Sequence, residues 1–91
     1  MRNFQIKCGS AVYDCNFRVK TPKQAACRAF LKIIPDFGEN YVLGNNIEFS
    51  MIDSYGVSRQ YVGRRVDCAA LYGAPPGSYR NEVRRKFNYQ K

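Results

Sequence analysis

The sequence contains no histidine and no tryptophan, and its four cysteines, at positions 8, 15, 27 and 68, never fall into a C-x-x-C spacing. Without histidine there is no ordinary acid–base relay near neutral pH, and no cysteine has an evident activating partner, so an enzyme is the weakest class of reading. A zinc site would need all four thiolates from scattered places, so no metal and no other cofactor is expected. Cys8 and Cys15 could meet across a hairpin, but with no secretory signal the simpler reading is buried, reduced thiols acting as small apolar residues. No apolar run approaches the ~18 residues of a membrane span, and the opening "MRNFQIKC" has no signal-peptide core, which predicts a soluble chain not secreted by the usual route.

What is present is aromatic and basic. Ninety-one residues set the scale of a single domain, residues 1–91, with one small core: one layer of sheet and one or two helices. An apolar content of 45%, with seven Tyr and six Phe, is too high for a disordered tail. Fifteen Lys and Arg against seven Asp and Glu leave a surplus of +8, which favours a polyanion or an acidic protein surface as partner. The surplus is uneven. Residues 1–35 carry seven basic and one acidic side chain (+6), residues 36–53 four acidic and no basic (−4), and residues 54–91 eight basic and two acidic (+6).

Along the chain, "RNFQIKC" alternates Phe4, Ile6 and Cys8 against Asn3, Gln5 and Lys7, the period of a half-buried strand. Gly9 and Ser10 make a turn, and "AVYDCNFRV" returns with Tyr13, Cys15, Phe17 and Val19 on one face. Thr21 can cap a helix, Pro22 suits its first position, and Gln24 completes a T-x-x-Q capping box, so a helix is predicted over about 22–34, ended by Pro35. Its core face is Ala25, Ala26, Ala29, Phe30 and Ile33; Cys27, Leu31 and Ile34 form a smaller apolar strip, with Lys23 on one flank and Arg28 and Lys32 on the other. "DFGENYVLGNN" reads as an acidic connection. Ile47, Phe49 and Met51, the turn "DSYG" at 53–56 and "VSRQYVGRRV" predict a second hairpin. Glu48 and Asp53 read as surface carboxylates on opposite strand faces. Pro75-Pro76-Gly77 interrupts regular structure, and "YRNEVRRKFNYQK" closes the chain with Val83, Phe87 and Tyr89 at strand spacing.

This order resembles that of the archaeal chromosomal protein MC1 and the similar small basic proteins of large double-stranded-DNA viruses. The residues that carry the likeness are "RNF" at 2–4, "KTPKQAACRAF" at 20–30, "YVGRR" at 61–65, "GAPPG" at 73–77 and "RRKFNY" at 84–89, of which K-T-P-K-Q-A-A is the most specific. The resemblance implies an α+β fold, with two β-hairpins and a final strand forming a curved antiparallel sheet packed on one helix. It also implies a non-enzymatic protein that binds and bends duplex DNA without strong sequence preference. Carried over by position, the DNA-contacting edge is Lys20, Thr21, Pro22 and Lys23, where a helix N-terminus and two lysines suit a phosphate. In MC1 the turn between the third and fourth strands is basic, and the long arm carries basic residues and tryptophan. Here that turn is "DSYG" and residues 67–79 contain no Lys or Arg, so basic contacts do not carry over to the arm. Tyr72 or the prolines could still act there as apolar wedges.

Two functional readings follow. In the first, Lys20, Lys23, Arg59, Arg64, Arg65, Arg84, Arg85 and Lys86 contact the phosphates of double-stranded DNA, in a virion or a nucleoid. In the second, the protein is a minor capsid or cement component of a large DNA virus, meeting other virion proteins through Cys27, Leu31, Ile34, Leu71, Tyr72, Pro75 and Pro76. The bland alternative to both is a set of solvated strand faces. RNA binding through exposed tyrosines lacks any RNP-like aromatic motif.

Overall fold

Alternation, turn chemistry and capping each leave their mark on the structure, a computed structural model that describes residues 2–69, 73 and 75–86. Five strands, β1 (Arg2–Cys8), β2 (Ala11–Phe17), β3 (Ile47–Asp53), β4 (Ser58–Asp67) and β5 (Tyr79–Arg85), form one antiparallel open sheet in the order β2-β1-β3-β4-β5. Helix α1 (Pro22–Phe37) packs on one side and is followed by a short α2 (Glu39–Val42). The fold is α+β. Among the described residues no helix is long and apolar enough to cross a membrane.

The first hairpin closes through two residues, with Cys8 opposite Ala11, and Gly9 at φ +59° supplies the positive dihedral that such a tight loop requires. The register places Cys8 opposite Ala11 and Cys15 opposite Phe4. The two thiols are thus four rows apart, ~13 Å along the strands, too far for a disulfide. All four cysteines are free; burial, with Asp36 nearby, pushes the Cys8 thiol up.

One face of every strand supplies the core: Phe4, Ile6 and Cys8, then Phe17, then Ile47, Phe49 and Met51, then Tyr61, and Val83. Tyr13 and Cys15 pack against its edge. From α1, Ala25, Ala26, Ala29, Phe30 and Ile33 face this layer as their spacing predicts. The alanines allow close approach, and Phe30 lies directly over Gly63, stacked on Phe49, which stacks in turn on Tyr61.

Three expectations are corrected. The helix does not end at Pro35; it continues to Phe37, where Gly38 at φ +85° takes over and donates its N–H to the Ile34 carbonyl at 2.9 Å. Proline is accommodated because it sits in the last turn, where its missing N–H removes a single bond, to the Leu31 carbonyl. Second, the acidic connection contains α2, whose Val42 is fully buried. Third, Ile34 is 5% exposed and belongs to the core, not to an outward strip with Cys27 and Leu31. The corner at Gly38 packs α2 against the C-terminal end of α1, so the apolar face is wider there than the helical wheel alone implies.

The base of the proline arm is tied by Cys68 N–H to the Ser78 carbonyl at 2.8 Å and Ser78 N–H to the Pro75 carbonyl at 3.2 Å. Pro75 and Pro76 are exposed; Leu71, Tyr72, Phe87 and Tyr89 lie outside the described residues.

Candidate functional site

Strand alternation divides the basic residues of β4 and β5 between the two faces of the sheet. Arg59, Arg65 and Arg85 share the parity of Tyr61, Gly63 and Val83, on the side of α1, whereas Arg64, Arg84 and Lys86 point the other way with Val62. The ten basic and capping residues expected from the sequence therefore do not form one surface. Neighbours in sequence such as Arg64 and Arg65, or Arg84 and Arg85, are separated by the sheet itself.

Several of these cations already have partners. Arg59 pairs with Asp53 at 3.1 Å, Arg64 with Glu82 at 2.8 Å, Arg80 with the same Glu82 at 2.7 Å, and Lys86 with Glu48. Arg65 donates from Nε to Asn81 Oδ1 at 2.9 Å and lies over the Tyr79 ring. The hydrogen bond and charge of Arg64, aided by Arg80, hold the Glu82 carboxyl below its ordinary range.

Asp53 organises the β3–β4 turn. Its Oδ1 accepts from the N–H groups of Tyr55 and Val57, and Oδ2 receives Arg59. The Val57 N–H above all, with Arg59 and the Tyr55 N–H, holds this carboxyl below its ordinary value near 3.8, against an opposing contribution from burial. A depressed folded-state pKa contributes stability that is present above the unfolded value and is lost as pH falls through the folded one. Thermal melts of the wild type and Asp53→Asn should therefore differ most at pH 5 to 7 and converge as pH falls well below 3.8. A gap that stays constant down to about pH 2 would mean that the Asp53 charge contributes nothing.

The N-terminus of α1 gathers a different set. Thr21 Oγ1 accepts the Gln24 N–H at 3.2 Å, and Gln24 Oε1 accepts the Lys20 N–H at 2.8 Å, a reciprocal capping box that folds residues 18–21 back along the helix. As a result Arg18, Lys20 and Thr21 join Lys23, Gln24, Cys27, Arg28 and Leu31 around an open groove of about 810 Å³. Four cations line it and no carboxylate does. Among the described residues none of the four is ion-paired.

A second depression, of about 470 Å³, shares Lys23 and Cys27 with the first and continues to Arg64, Asn81, Glu82 and Arg84. It takes residues of both parities from β5, so the surface wraps that edge strand and brings Arg64 and Arg84 into line with the helix. Of the expected site residues, this joins Lys20, Thr21, Lys23, Arg64 and Arg84. Pro22 is exposed beside them as the first helical residue. Arg59 and Lys86 lie outside both depressions and are engaged elsewhere.

Arg18 and Arg28 were not in the expected set. The expectation that Arg28 lies on the flank away from Lys23 is corrected: both line one groove, because Lys23, Cys27 and Leu31 repeat at i, i+4 and i+8 with Gln24 and Arg28 forming the adjacent row. Arg18 follows a strand and is brought in only by the capping turn. The groove can hold anionic oxygens through two guanidinium forks and two ammonium groups, with Leu31, 55% exposed, as an apolar part of its lining. Comparison with protein-family models, with curated proteins and with solved structures finds no match for this chain.

Proposed function

We propose that the chain is a non-catalytic structural protein of MC1-like fold that binds duplex DNA through its phosphates, without strong sequence preference, in a large DNA virus. The observation that carries this reading is the groove at the start of α1: four cations, no carboxylate and no ion pair among the described residues. Like charges gathered without counter-charges repel one another, and a bound polyanion relieves that repulsion while releasing its own counterions. Arg18, Lys20, Lys23 and Arg28 are the primary contacts, and Arg84, with Arg64, whose carboxylate partner Glu82 is shared with Arg80, extends them around the β5 edge. Among the described residues no helix presents a row of base-reading side chains, which supports binding that is positional and not sequence-reading.

The test is a titration of a labelled duplex of about 20 base pairs at ~50 and ~200 mM salt. Six phosphate contacts give a slope of about −5 in log K against log salt, hence a loss of roughly a thousandfold in affinity between the two conditions. Absence of binding at the lower salt overturns the proposal.

One observation favours a second reading, a minor capsid protein meeting other virion proteins: Leu31 is half exposed beside Cys27 in the groove, where an apolar contact could be buried. That reading expects failed incorporation into particles for Leu31→Lys; normal incorporation overturns it.

A further inference from the structure

The two ends of α1 are chemically opposite. Its first turns line the cationic groove, while its last turn leads into the corner at Gly38, where Phe37 and Tyr41 stack with ring centroids 5.5 Å apart. Both rings are exposed, 39% and 51%, and Asp36 beside them is exposed and without an ion pair among the described residues. The corner is tied to the body of the fold. Val42 is fully buried beneath it, the Val42 N–H meets the Gly38 carbonyl at 3.3 Å, and Asn45 Nδ2 donates to the Tyr41 carbonyl at 2.7 Å. The aromatic pair is therefore presented on a hydrogen-bonded backbone, and Tyr and Phe side chains are effective anchors at interfaces.

We propose that this aromatic, acidic corner of one copy docks into the cationic groove of a second copy. The chemistry is complementary: ring faces attract Lys and Arg, Asp36 supplies a carboxylate to a groove that has none, and Leu31 offers the rings an apolar contact. The contact cannot form within one molecule. Phe37 lies nine residues beyond Arg28 and fourteen beyond Lys23 on the same helix, about 14 and 21 Å along its axis. Each copy thus has one donor corner and one acceptor groove on different surfaces, a heterologous head-to-tail contact that links copies in series, into rings where the rotation closes and open chains where it does not. DNA and the second copy compete for the same groove, so free protein self-associates and duplex disperses it. This competition rests on the DNA reading; the self-association does not.

Sedimentation velocity of the full chain tests it at ~50 and ~500 mM salt, where screening separates the two regimes. Concentration-dependent association is expected at low salt and its loss at high salt. Lys23→Glu with Arg28→Glu removes the groove, and Phe37→Ser with Tyr41→Ser removes the corner; each double variant alone should be monomeric. Mixed one to one, they should form heterodimers and nothing larger, because the first keeps its corner and the second its groove. A wild type that stays monomeric at ~200 μM in low salt overturns the inference, as does a mixture that remains monomeric or a corner variant that associates like the wild type. The corner variant should bind the 20-base-pair duplex within about twofold of wild type. Duplex binding without self-association sinks this inference alone, and self-association without duplex binding sinks the DNA reading alone.

Discussion

Gly63→Ala should lower the melting temperature by about 8–24 °C. The added Cβ would stand 2.5 Å from Phe30 Cδ1, 2.7 Å from Cε1 and 2.9 Å from Cγ, all well inside van der Waals contact. An exposed side chain would swing away, but Phe30 is fully buried, stacked on Phe49 at 6.3 Å, and Phe49 is stacked on Tyr61 at 5.9 Å. Relief therefore requires α1 to lift from β4, and overpacking of this kind costs about 2–3 kcal/mol. For a domain of this size each kcal/mol corresponds to roughly 4–8 °C. In denaturant the midpoint should fall at unchanged slope, and adding Phe30→Leu should recover part of the loss. A melting temperature within about 2 °C of wild type would show that the ring does not seat on Gly63. The contact matters for the site, because it sets the height of α1 over β4 and so the alignment of Lys23 with Arg64 and Arg84.

Charge reversal in the groove should act on binding and leave the fold alone. Lys20→Glu with Lys23→Glu removes two phosphate contacts and adds two repulsions, and at ~100 mM salt a loss of at least a hundredfold in duplex affinity is expected, with the salt slope reduced by about 2. Both side chains are exposed and neither is ion-paired among the described residues, while the capping bond of Lys20 comes from its backbone N–H and survives the change. A glutamate at position 23, in the first turn, and one at position 20, just before the cap, also suit the positive end of the helix dipole, so the melting temperature should stay within about 2 °C. Lys86→Gln is the informative contrast. Lys86 is engaged with Glu48 and outside both depressions, so its loss should change affinity by no more than about threefold. Wild-type affinity in the Lys20/Lys23 variant would overturn the assignment of the groove, and a drop of more than about 5 °C would mean that these lysines hold the fold together.

Local chemistry determined a good deal by itself. Period-two alternation located β1, β2 and β3 and the face of each that enters the core, because a half-buried strand shows its burial directly in residue order; β4 and β5 were expected as strands, but for β4 only the folded sheet shows which face is buried. Thr21, Pro22 and Gln24 marked the start of α1 to the residue, since a cap is a contact between near neighbours. The end of that helix, the burial of Ile34 and the existence of α2 were decided by packing between segments, which overrode the stop signal of Pro35.

The site divided along the same line. Lys20 and Lys23 were legible because the capping box that holds them is local. Which arginines accompany them was settled by tertiary geometry. Alternation sent Arg64 and Arg65 to opposite faces, ion pairs engaged Arg59 and Lys86, and the turn at 18–21 added Arg18. Net charge counts every cation equally. Only the folded chain separates those neutralised by a neighbouring carboxylate from those gathered, unpaired, around one groove, because cancellation of charge depends on distances of a few ångströms between residues tens of positions apart.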